Sequence, residues 1–159
     1  MNQYKRLIIA VMLITLASSL LSIREFALGI WQFSNLASDL MAGFFLVFGG
    51  LKLMDLNQFA EGFAKYDLIA AKSKFYAYLY PFIELSFGFL MLLKFHPAAL
   101  LWAEFAIMIV GTIGIVNKIV KKENLRCACM GNLLDVPVGY VTIVENLSMA
   151  ALALVLILI

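Results

Sequence analysis

Long apolar runs limit what this chain can fold into more than any other feature of it. Five stretches approach the roughly 20 apolar residues that a helix needs to cross a bilayer. They run over Leu7–Ile23, Ala37–Met54, Phe75–Phe95, Pro97–Asn117 and Val136–Ile159. Of the 159 residues, 64% are hydrophobic and only 14% charged, whereas a soluble domain is nearer half apolar and a quarter charged. Too few polar side chains remain to cover a surface facing water. In lipid every backbone N–H and C=O must be satisfied within its own segment, so the runs are read as helices. Strand-like alternation and Asn-Gly hairpin signals are absent. The expectation is an all-α, multi-pass transmembrane bundle of about five spans, four plus an N-terminal helix, in a single domain over residues 1–159. Its first partner is the lipid bilayer. A net charge of +2 is too small to suggest nucleic acid.

Cations concentrate on the cytoplasmic side of membrane proteins, and here they alternate. Lys5 and Arg6 precede the first run, and Arg24 is alone in the next connection. Lys52, Lys65, Lys72 and Lys74 flank or fill the third connection, Lys94 stands with His96 in the fourth, and Lys118, Lys121, Lys122 and Arg126 crowd the fifth. The N-terminus and the fifth connection are therefore expected in the cytoplasm, and the C-terminus outside. Lys5 and Arg6, the apolar stretch and Ala17-Ser18-Ser19 also fit a secretory signal peptide. The apolar run continues through Leu20, Leu21 and Ile23, which favours a retained helix.

Within the third connection Phe59, Phe63, Tyr66 and Ala70 recur at helical spacing, with Glu61 and Lys65 as an i,i+4 pair opposite. That pattern predicts an amphipathic helix lying in the interface. It would tie the second and third spans together or serve as a docking surface. Tyr76, Tyr78 and Tyr80 suggest an interfacial belt. Gly49-Gly50, Gly111 and Gly114 suggest close helix packing. His96, before Pro97, reads as a loop residue.

Three carboxylates, Glu84, Glu104 and Glu145, fall inside apolar spans. A charge at the centre of a bilayer costs at least ~2.5 kcal/mol, so each is expected to face the bundle interior or to carry a proton. Glu84 lies roughly 13 Å into its helix at 1.5 Å per residue. Glu145 reaches a similar depth from the same side, and Lys52 approaches that level. A buried cluster of Lys52, Glu84 and Glu145 is expected beneath the fifth connection. It would relay protons, guide a cation, or simply clip helices together.

That connection reads LRCACMGNLLDVPVGY and holds both cysteines of the chain, Cys127 and Cys129. Arg126, the preceding lysines and the positive start of the following helix all favour thiolate. Gly131 permits a sharp turn, Asp135 suits a helix cap and Pro137 a first helical turn. Two chemistries fit. The pair cycles between dithiol and disulfide, whose small ring favours an oxidising potential, as in a thiol–disulfide oxidoreductase. Alternatively the thiolates bind a soft metal such as Cu(I), Hg(II) or Zn(II), with the Met130 thioether assisting. Stable disulfides are rare in the cytoplasm, which leans toward metal or transient redox work.

The stretches MAGFFLVFGGLKLMDLNQFAEGFAKYDLIA, YPFIELSFGFLMLL and CACMGNLLDVPVGYVTIVENLSMA resemble the MauE branch of the DoxX-like membrane proteins. The likeness covers most of Leu40 to Ala151 and is most specific at the C-x-C-x-G loop leading to Pro137 and Glu145. It implies a small multi-pass protein of a bacterial inner membrane, linked to methylamine utilisation through disulfide formation in, or maturation of, methylamine dehydrogenase. It also implies that Cys127 and Cys129 are the family's cysteine pair, serving a redox partner protein; the cofactor is left open, a quinone for the redox reading or Cu(I)/Hg(II) for the metal one. The same stretch is similar to the membrane part of proteins with a heavy-metal-associated domain. That likeness implies a copper- or mercury-handling partner, although the six residues before the first run leave no room for such a domain. A scaffold without chemistry of its own is the third function class.

Overall fold

A computed structural model describes residues 2–121 and 140–159. All regular structure among the described residues is helical: α1 Asn2–Ala27, α2 Phe33–Leu53, α3 Leu56–Phe63, α4 Lys74–Leu92, α5 Ala98–Val120 and α6 Tyr140–Leu158. Four segments are long and apolar enough to cross a membrane, namely Ile8–Ala27, Phe33–Leu53, Lys74–Leu92 and Ala98–Val120; Thr142–Leu158 is a shorter apolar stretch of α6. At 21 residues, α2 is ~31 Å long, the thickness of a hydrocarbon core. The chain is a multi-pass helical membrane protein. The expected start of the last span, at Val136, lies outside the described residues, as do Asp135 and Pro137.

Local chemistry explains where the helices begin and end. α2 starts at Phe33, ahead of the expected Ala37, and is tied near its start to the end of α4, where the Asn35 backbone O and Asp39 Oδ1 both accept from Lys94 Nζ. Ser73 caps α4 by accepting from the Tyr76 N–H at 3.3 Å. At the far end Lys94 adopts φ 57°, and the N–H groups of Phe95 and Lys94 bond back to Leu90 O and Met91 O. That pairing is the Schellman motif, and it stops α4 short of the expected Phe95.

The amphipathic helix of the third connection departs most from expectation. α3 opens at Asp55, whose side chain accepts from the Gln58 N–H at 3.1 Å, but it ends at Phe63. Tight turns then carry the chain to Ser73. Asp67 takes over from the helix carbonyls, its Oδ1 accepting from the N–H groups of Ile69 and Ala70 at 2.9 and 2.8 Å. Lys65 lies past the helix end, and it forms no ion pair with Glu61 among the described residues. Nor does the apolar face lie in lipid. Phe59, Ala60, Phe63, Tyr66 and Ala70 are buried together with Ala77 and Tyr80 of α4 and Ile115 of α5. The connection caps the bundle from within.

α2 packs most extensively on α4, and α5 on α6; α2 also meets α6, and α1 lies against α2. The interior is built from stripes at helical spacing: Ala37, Met41 and Phe45 of α2, Phe87 and Met91 of α4, Leu101 and Met108 of α5, and Met149, Ala153 and Leu156 of α6. Outward, Leu13, Leu16, Phe89, Trp102 and Val144 remain exposed, as an apolar solvent allows. Gly49 brings α2 against Leu85 and Glu84 of α4, whereas Gly50 has nothing near it. Gly111 lets α5 approach Asn146 of α6, whereas Gly114 serves a different contact from the expected one between helices. A Cβ on Gly114 would stand 2.2 Å from the backbone O of Tyr66, so α5 is notched to receive the capping turn.

Candidate functional site

Lys52 occupies the last turn of α2, and Glu84 lies midway along α4. Gly49, one turn before Lys52, lets α4 approach closely. Nζ of Lys52 forms a salt bridge with Glu84 Oε1, and both residues are only 5% exposed. The ammonium also lies 5.6 Å from the ring centroid of Phe59 and 5.2 Å from that of Tyr80, within cation–π range. These rings belong to a larger cluster, with Phe63 4.3 Å from Tyr80 and 5.1 Å from Phe59 between centroids. Tyr80 is therefore a core residue and not part of an interfacial belt. Tyr78 is exposed and donates to Asn57 Oδ1 at 3.1 Å.

Beside the ion pair is a small cavity whose wall includes Lys52, Tyr66 and Tyr80 together with Gly111, Thr142, Glu145 and Asn146. Gly111 makes room for the Asn146 amide, whose Nδ2 would stand 3.1 Å from a Cβ there. Lys52 thus touches Glu84 on one side and shares a cavity wall with the half-buried Glu145 on the other. Below the aromatic cluster Asp67 is buried. Burial pushes its carboxyl above the usual range, while the N–H groups of Ala70 and Ile69 pull it back.

Cys127, Cys129 and Met130 lie outside the described residues, as do Arg126 and Gly131. Their segment is anchored at Lys121 after α5 and at Tyr140 where α6 begins. Thr142, Glu145 and Asn146 belong to the first described turns of α6, so the chain ties that segment to the end of the bundle where the cavity is. Among the described residues no group of three or more His, Cys, Asp or Glu side chains could hold a metal ion.

Glu104 faces the interior with 0% exposure, and both of its oxygens are buried without a hydrogen-bond partner among the described residues. It does not line the Lys52 cavity. His96 is in the α4–α5 connection. One polar pair escaped the sequence reading: Asp39 of α2 bonds Lys94 at 2.5 Å near the opposite end of the bundle. The signal was an acidic residue just inside the second apolar run, two residues after Ala37. Phe59 and Tyr80 as a cage for Lys52 were also missed, because no local pattern links a connection to a span.

A family model described as "Methylamine utilisation protein MauE" matches residues 30–159. That range begins after α1 and takes in every other helix and the whole candidate site. No curated protein and no solved structure matches the chain.

Proposed function

The chain belongs to the MauE family, and from that premise we propose that it serves methylamine utilisation in a bacterial inner membrane by exchanging thiol–disulfide electrons with a maturing partner protein. Cys127 and Cys129 are the reacting pair, and their loop and the N-terminus face the cytoplasm. In the exchange a partner thiolate attacks the Cys127–Cys129 disulfide and forms a mixed disulfide. A second partner thiolate displaces the remaining bond, which leaves the partner oxidised and the pair as a dithiol. Two electrons pass to the cysteine pair, and the released thiolates take up protons. The observation that supports this reading is the buried Lys52–Glu84 pair together with the half-buried Glu145 of α6, the helix that follows the cysteine segment in the chain. Carboxylates and an ammonium held out of water can keep and redistribute protons for thiols that gain and lose them.

The test is substitution of each cysteine separately by serine in intact cells. One of Cys127→Ser and Cys129→Ser is expected to trap a partner in an adduct that a reductant dissolves. A membrane-impermeant alkylating reagent should reach the wild-type thiols only after the cytoplasmic face is opened. Loss of tight Cu(I) or Hg(II) binding in both variants, with no adduct, would replace the reading with soft-metal transfer. Wild-type behaviour of both variants would leave only a scaffold.

A further inference from the structure

A groove of about 350 Å³ runs between α1 and α2, within the volume range of small-molecule sites. Ile14, Ala42, Gly43 and Leu46 are among its lining residues, and it opens sideways past exposed Leu13 and Val47. It extends along α1 from Ala10 to Leu21, or ~16 Å. One end differs from the rest. Asp39 forms part of the wall there, 5% exposed, with Oδ1 bound to Lys94 and Oδ2 buried without a hydrogen-bond partner among the described residues. Ser18 of α1 lines the same groove, and Oγ of Ser22, one turn farther on, is also buried with no partner among the described residues. Lys94 is fixed in place by its φ of 57° and by a second bond to Asn35 O at 2.9 Å.

An ionised carboxylate oxygen only accepts hydrogen bonds, and a buried acceptor without a donor is penalised by the water it has lost. The complement is a donor carried on an apolar body. The head must be neutral, because Lys94 already balances Asp39 and an added phosphate would meet the carboxylate. The polar end lies toward the Lys94 end of the bundle and the apolar part toward its middle, which is the polarity of a lipid leaflet. We propose that the α1–α2 groove binds a lipid-phase small molecule with a single long apolar chain and a neutral terminal hydroxyl, the hydroxyl donating to Asp39 Oδ2. This site is separate from the Lys52 site: residue 39 and residue 52 are ~20 Å apart along α2.

The test uses the full chain in lipid nanodiscs and two probes, tetradecanol carrying a mid-chain diazirine and the methyl ether of the same molecule. On illumination the alcohol is expected to label peptides of α1 and α2 roughly tenfold more than the ether, the ratio that one hydrogen bond to a charged acceptor supports. Unlabelled tetradecanol should compete, and Ala17→Phe, which fills the groove, should abolish the labelling. Equal labelling by alcohol and ether, or labelling without competition, would mean that the groove takes ordinary bilayer chains only. The alcohol-to-ether ratio is read on the wild type, so a folding defect in the variant leaves the decision intact.

Discussion

Lys52 and Glu84 hold opposite charges in an interior where neither has water to fall back on. Removing one partner of a buried pair strands the other and costs ~3–5 kcal/mol, whereas replacing both by apolar residues of similar volume is often nearly neutral. Lys52→Ala and Glu84→Ala are each expected to destabilise the protein strongly in thermal unfolding, and Lys52→Met with Glu84→Leu to recover most of the loss. Maturation of the partner should stay impaired in that double variant if the pair serves chemistry as well as packing. Single and double variants that unfold alike would show that the two charges do not depend on each other. The common depth of Lys52 and Glu84 was legible in the sequence, since helical rise converts residue number into distance. The rings of Phe59 and Tyr80 around the ammonium were not, because one comes from a connection and the other from a span. Only folding brings them together.

Among the elements, α3 and the turn after it show how a short polar signal outweighs a long apolar period. Phe59, Phe63, Tyr66 and Ala70 keep helical spacing, yet the helix stops at Phe63, and Asp67 binds the following N–H groups with its side chain. The four apolar residues are still buried on one side, because the turn is pressed into α5 at Gly114. With the Tyr66 carbonyl only 2.2 Å from the place of a Cβ, Gly114→Ala requires backbone to move on one side or the other. Overpacking of this kind costs typically ~1–3 kcal/mol. A lowered unfolding temperature and faster proteolysis within residues 64–73 are the expected readout, and Gly50→Ala, with open space around it, should change neither. A Gly114→Ala protein as stable as the wild type would mean that the turn does not seat on α5 in the membrane.

As a whole molecule the protein places polar chemistry toward both ends of an apolar bundle, with Lys52 and Glu145 toward one end, Lys52 reaching Glu84 midway along α4, and Asp39 with Lys94 toward the other. Antiparallel spans put Lys72 at the first end and His96 at the second. In a variant lacking Cys127 and Cys129, Lys72→Cys and His96→Cys should therefore react with an impermeant thiol reagent from opposite sides of the membrane, Lys72→Cys from the cytoplasm. Labelling from the same side would break the topology. Reversed labelling would keep the bundle and overturn its orientation. The sequence by itself determined the number and material of the helices, because lipid leaves the backbone no other way to satisfy its hydrogen bonds over twenty apolar residues. It also determined that Glu84 and Glu104 must point inward, since a charge facing lipid is too costly, but it did not single out Asp39. Only the tertiary structure decided which partners those groups found, that the capping connection faces the bundle, and that α1 leaves a groove ending at Asp39. Such contacts join residues far apart in the chain, and their geometry depends on how the stripes of different helices interlock, which no local pattern records.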